Sequence, residues 1–236
     1  PYSSMIKHQQ MKLPLRTPGW GGRRAGAGRP LKRGRKVMPH RTRERFSARH
    51  PLHITMRMKK HVWNLRTARA FRTISRALAE NANHLGCRII DYSVQRNHIH
   101  LIVEAKDYEH LARAMRGFAI GIARGLNQIM GTKGKVFAER YHMHVLQTPR
   151  EVRHARAYVL QNARKHAAQG GVRYPAHQLD PYSSGRYFDG WKVRIKSQTF
   201  APIHATDSPV AKATTWLLRQ GWRRWGLIDP AEVPGH

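Results

Sequence analysis

An α+β fold is predicted by three features of the sequence: the order of its periodic segments, the alternation of apolar and polar residues in the β-rich runs, and one long amphipathic stretch, Tyr108–Met130. The segments run β-α-β-β-α-β-α. That order fits an antiparallel sheet with helices on one face, the ferredoxin-like arrangement, with one further helix added at the C-terminal end.

The first strand is expected over residues 51–58, PLHITMRM, where Leu52, Ile54, Met56 and Met58 share a face. A helix is expected over 67–84, with Phe71, Ile74 and Leu78 at helical spacing and Gly86 as its stop. CRIIDYSV, Cys87–Val94, reads as the second strand, and Gln95-Arg96-Asn97 as a tight turn into the third, over 98–104. Tyr108–Met130 carries one apolar stripe of Leu111, Met115, Phe118, Ile122, Leu126 and Ile129. Gly117, Gly121 and Gly125 recur every four residues there, which costs helix propensity and points to close approach of another backbone. After Gly131 and Gly134, a fourth strand over 136–147 is open to being broken in two. Pro149 opens a helix over 150–169, ended by Gly170-Gly171. Beyond it the chain is loop-rich, with one late helix capped by Ser208, started by Pro209 and holding Trp216-Leu217-Leu218. Trp216 is read as packing; Trp222 and Trp225 are left open between packing and contact with nucleic acid.

The chain thus divides into a basic arm over 1–48, expected to be disordered, a domain over 49–171, and an extension over 172–236. It holds 44 Lys and Arg against 13 Asp and Glu, a net charge of +31. So large a charge calls for an anionic partner, and nucleic acid fits better than a membrane, because the basic residues do not line one face of an amphipathic helix. The arm's Arg29, Lys32, Arg33, Arg35 and Lys36 are expected along nucleic-acid phosphates, and Arg96 and Lys165 are the contacting cations expected within the domain. The single cysteine, Cys87, excludes a disulfide framework and suits a reducing cytoplasm. No apolar run approaches the roughly 18 residues of a membrane span, nor does the N-terminus carry a signal-peptide core.

Chemistry is expected at His98 and His100, which the strand period puts on one face, about 6.6 Å apart along the chain. Imidazoles so spaced can lean onto one metal ion, each nitrogen about 2.1 Å from it. On the 150–169 helix, Tyr158 and Asn162 are four apart and share a face. An amide oxygen from Asn162 would complete a mixed nitrogen and oxygen set that suits Mg²⁺ or Mn²⁺, with the Tyr158 phenol beside it as nucleophile. Each piece alone is common: His142 and His144 repeat the spacing of the first pair.

NHIHLIVE, the long helix after it, GKVFAERYH, AYVLQNARKH and DPYSSGRYFDGW together resemble the HUH-motif single-tyrosine transposases, specifically the REP-associated tyrosine transposase group. The resemblance runs from about Pro51 to Trp191. It implies that His98 and His100 bind metal, that Tyr158 is the catalytic tyrosine and that Asn162 is the polar ligand one turn on. Ala163 stands where the family usually has proline. It further implies cleavage of single-stranded DNA, often beside a hairpin, through a covalent 5′-phosphotyrosine, with the 3′-hydroxyl kept for rejoining. A monomer or homodimer at the bacterial nucleoid would suit that activity.

Two other functions fit parts of the sequence. A non-catalytic single-strand-binding module on a ferredoxin-like sheet would carry exposed aromatics on its central strands, where this chain has histidines. A metal phosphoesterase acting through bound water would want more carboxylates than this chain supplies.

Overall fold

The computed structural model describes residues 45–175, 178–195 and 208–235. The arm residues Arg29, Lys32, Arg33, Arg35 and Lys36 lie outside them. Among the described residues five strands form one sheet in the order β2-β3-β4-β1-β5, made of β1 (Leu52–Arg57), β2 (Asn83–His84), β3 (Cys87–Val94), β4 (His98–Ala105) and β5 (His142–Val145). Every pairing is antiparallel. Leaving aside the two-residue β2, this is the ferredoxin-like order expected from the sequence.

The sheet separates two cores. Leu52, Ile54 and Met56 of β1 join Ile99, Leu101 and Val103 of β4 beneath α1 (Ala68–Asn81) and α2 (Tyr108–Met130). Phe71, Ile74 and Leu78 of α1 are buried there, as their spacing predicts. Asp107 caps α2 by accepting from His110 N, and Gly131 closes it in the left-handed conformation at φ 64°. The glycine stripe of α2 faces α1, and its fit is tightest at Gly125, where a Cβ would fall on the Thr73 side chain.

Three boundaries differ from the sequence expectation. Helix α1 stops at Asn81 and Gly86 is not its cap: Leu85 and Gly86 both have positive φ, 50° and 68°, the geometry of a two-residue hairpin turn that folds β2 onto β3. The helix expected over 150–169 is two, α3 (Pro149–Leu160) and α4 (Asn162–Gln169), parted at Gln161 with φ −117° and ψ 21°. The late helix does not start at Ser208. The chain before it is tied to the sheet, with Ala211 N donating to Ile89 O, and the N–H groups of Thr214 and Thr215 to Glu104. These bonds hold it extended until α5 (Trp216–Arg219), which Thr215 caps. The fourth strand is indeed broken: Phe137 bridges Met58, and pairing resumes only at β5.

The second core lies on the opposite face, under α3. Thr148 and Glu151 cap each other reciprocally at its start, with Pro149 in the first turn. A bulge in β3 turns Ile90 and Asp91 to this side together, since Ile89 pairs with Val103 and Asp91 with Ile102. Asp91 Oδ2 thereby accepts from Arg156 Nε of α3 at 2.8 Å, both side chains almost fully buried. Breaking such a pair leaves a buried charge without a counter-charge. Asp91→Ala and Arg156→Ala should each lower the unfolding free energy by about 3–5 kcal/mol in denaturant titration. The double variant should lose much less than the sum. Additive losses would mean that the two side chains act independently.

Candidate active site

The face of the sheet under α3 carries polar side chains beside the apolar Ile90 and Ile102, where the other face is apolar. His98, His100 and Glu104 of β4 lie on it, beside His53, Thr55 and Arg57 of β1, and the register sets Thr55 opposite His100 and Arg57 opposite His98. The rings of His98 and His100 meet edge-on, centroids 4.7 Å apart. Tyr158 of α3 stands over them, its ring 5.1 Å from that of His100 and 5.9 Å from that of His53. The fold therefore brings together three of the expected residues, His98, His100 and Tyr158, within one chain.

Each histidine of the pair is oriented through Nδ1. His98 Nδ1 lies 2.8 Å from Asn97 Oδ1, which can only accept, so the proton sits on Nδ1 and Nε2 keeps its lone pair. His100 Nδ1 lies 3.1 Å from both Thr55 Oγ1 and His53 Nε2. A proton on that Nδ1 leaves Nε2 as a lone pair, and this Nε2 is buried without a hydrogen-bond partner. Asn162 is fully buried, and neither its amide oxygen nor its amide nitrogen has a partner. Buried polar atoms left unpaired are costly unless a ligand satisfies them. The donor set thus fits the metal ion implied by the resemblance, although Asn162 bonds to neither histidine and, across the break at Gln161, no longer follows Tyr158 on a continuous helix. Among the described residues no cluster of three His, Cys, Asp or Glu side chains is arranged around a metal position.

Burial keeps these imidazoles neutral. It lowers the pKa of His98 to about 4, with His166 and Arg57 adding to the shift. It lowers that of His100 to about 2, with His53, His98 and His166 adding. Burial likewise takes His53 to about 4, helped by His144 and His142.

The remaining expected residues divide. Arg96 is exposed on the turn before His98, open to a ligand. Lys165, expected on DNA, is instead buried: its Nζ lies 4.9 Å from the centre of the Tyr158 ring and donates to Gly235 O at 3.2 Å. His142 and His144 sit exposed on the edge strand β5, opposite Thr55 and His53. Two other tyrosines of the domain lie elsewhere: Tyr108 begins α2, and Tyr141 packs against the first core. His53 and Thr55 were not singled out, because β1 reads most clearly through its apolar face; the alternation that buries Leu52 and Ile54 also turns these two toward β4. His166, four residues beyond Asn162, was missed as well. A cleft of about 480 Å³ adjoins the site, lined by His53, His144, Arg153, His154, Tyr158 and Gly235 among others.

Residues 47–162 match the family described as IS200-like transposases, and that part of the chain belongs to it. A REP-associated tyrosine transposase, solved bound to a REP hairpin, superposes with a TM-score of 0.51 at 17% identity, over 75% of this chain and 96% of the other. At that identity the likeness shows the fold. A candidate transposase from Deinococcus radiodurans R1 covers 61% of this chain and all of its own at 13% identity, with a TM-score of 0.36, too loose to carry over any feature. No curated protein sequence matches at a significant level. No helix among the described residues is long and apolar enough to cross a membrane.

The neutral histidines make stability depend on pH. Their folded pKa values lie below the ordinary 6.5, so between about pH 4 and 6.5 the unfolded chain binds more protons and stability rises with pH. In chelator, the melting temperature should therefore fall as pH drops from 6.5 toward 4. His53→Gln should make that decline shallower. An unchanged slope in the variant would show that His53 is as easily protonated folded as unfolded.

Proposed function

We propose that the protein is a single-tyrosine transposase that cleaves single-stranded DNA beside a hairpin and keeps the downstream piece as a covalent 5′-phosphotyrosine at Tyr158. The observation that carries this reading is the ring of Tyr158 standing 5.1 Å from that of His100 within the same chain. The family match and the hairpin bound by the structural neighbour support it.

His98 and His100 would hold Mg²⁺ or Mn²⁺ through their Nε2 atoms, with Asn162 Oδ1 as the third donor. When bound, that ion supplies charge to polarise a phosphate oxygen. Asn97, Thr55 and His53 act behind the histidines, fixing ring orientation and the side that carries the proton. The Tyr158 phenol loses its proton and its oxygen bonds to phosphorus. The bond to the upstream 3′-oxygen breaks, and that oxygen leaves as a hydroxyl after taking up a proton. The two imidazoles and the amide bring no charge of their own, so they would leave the charge of such an ion to act on the phosphate. The rival, a non-catalytic strand-binding module, would form no covalent product.

With DNA labelled downstream of the break, label should travel with the wild-type protein on a denaturing gel in Mg²⁺ or Mn²⁺. Tyr158→Phe should bind DNA normally and give no such band. A band that persists in the variant, or label carried only from the upstream side, would mean that nucleophile or polarity is misassigned.

His98→Ala and His100→Ala should each abolish the adduct, as should excess chelator, while DNA binding stays within a few-fold because phosphate contacts elsewhere dominate affinity. Asn162→Ala should raise the metal concentration needed for half-maximal adduct. Replacing both His142 and His144 should do far less, and an equal loss there would move the metal to the edge strand.

A further inference from the structure

Three tryptophans follow Thr215 and meet different fates. Trp222 is fully buried, its ring 5.5 Å from Phe188, and anchors the segment to the second core. Trp216 and Trp225 stay in solvent, 48% and 54% exposed, so the expectation that Trp216 packs is met only in part, where its ring rests on Gly221. Each exposed indole has a guanidinium on its face: Arg224 lies 5.0 Å from the centre of Trp216, and Arg150 lies 5.3 Å from Trp225. Among the described residues no carboxylate pairs with either arginine, nor with the neighbouring exposed Arg219. A half-exposed indole beside an uncompensated cation suits a nucleobase, which stacks, and its phosphate, which meets the charge.

Where this segment sits is fixed by α3. Arg153 of that helix donates to Gly226 O at 3.4 Å and to Leu227 O at 3.3 Å, holding the residues after Trp225 against it. Arg150 and Tyr158 share the helix, about 12 Å apart along its axis at 1.5 Å per residue. A strand attached at Tyr158 needs only a few nucleotides to reach Trp225.

We propose that Trp225 with Arg150 and Trp216 with Arg224 form a base-stacking platform for single-stranded DNA flanking the break; of these four only Arg150 falls within the region matched by the family. This location rests on Tyr158 as the point of attachment; the stacking chemistry does not. Single-stranded DNA is favoured over duplex because a paired base offers no free face, and over a protein partner because the chain's charge of +31 meets an anion.

The test uses the full chain and an unstructured oligothymidylate as probe. Oligothymidylate should quench tryptophan emission in the wild type. Trp225→Ala and Trp216→Ala should each bind it about 10-fold more weakly in anisotropy titrations, with binding to a blunt duplex unchanged. The slope of affinity against salt should stay the same, since no phosphate-contacting cation is removed. Trp225→Phe should retain most of the affinity, which separates stacking from a packing role. The platform is overturned if the double Ala variant binds within two-fold of wild type, if duplex binding falls in step, or if the Phe variant is as weak as the Ala one. Measuring the adduct on hairpin DNA in parallel keeps the two readings apart. Quenching without a wild-type adduct supports the platform and sinks the role of Tyr158, whereas an adduct with no effect of either tryptophan does the reverse.

Discussion

One guanidinium holds the functional half of this protein together. Arg156 of α3 gives Nε to Asp91 of β3 and Nη1 to the carbonyl of Leu218, and it lies against the rings of both Phe188 and Trp222 at 4.7 and 5.0 Å. Four segments distant in sequence meet on one side chain. A buried ion pair is no guarantee of stability, since desolvation offsets much of the attraction. What it does supply is geometry. Arginine's planar fork accepts few arrangements, so α3 is held in one rotation and height over the sheet. Tyr158, two residues on, is thereby held above His100 and not merely near it.

The bulge at Ile90 is the other half of that device. In a regular strand Ile90 and Asp91 would point to opposite faces. The extra residue sends both to the α3 side, so Ile90 joins the second core and the Asp91 carboxylate reaches the arginine. Both faces of the sheet thus carry a buried core, and the one under α3 carries the histidines as well. Val152, Ala157, Val159 and Leu160 of α3 pack with Ile90 and Ile102 in the second core, and the directional ion pair adds orientation to that apolar contact.

Much of this was legible in the sequence wherever the signal is local. The stripe of α2, the alternation of β1 and β4 and the turn before His98 depend on neighbours a few residues apart, and their bounds came out almost as expected. The strand period alone put His98 and His100 on one face, and helical spacing offered Tyr158 as their partner. What stayed hidden was either too short or too distant. A two-residue strand has no period, so Gly86 read as a helix stop and not as the turn of a hairpin. Gln161 lies among good helix formers, and nothing marks the break there; it forms even with Ala163 in place of the family's proline. Asp91 and Arg156 are 65 positions apart, and the bulge that joins them has no signature in CRIIDYSV. His53 was masked by its own strand, which reads for its apolar side.

The scarcity of acid explains how the site keeps its character. Of 13 carboxylates in the chain, three are buried on or beside this face, and each fixes a segment to the sheet. Asp91 takes Arg156, Asp180 takes Arg66 in a two-point bond, and Glu104 takes Arg88 together with the N–H groups of Thr214 and Thr215. Burial raises the pKa of Glu104, but those bonds from Thr215 and Thr214 outweigh it and hold the carboxyl below its usual range. The acids are therefore structural, and the described histidine site has none among its donors. A neutral donor set leaves the charge of any bound cation uncancelled, and the surrounding excess of Lys and Arg draws an anionic chain toward it. Fixing the cover with buried carboxylates, while keeping them away from the histidines, leaves an uncharged donor set within a strongly basic chain.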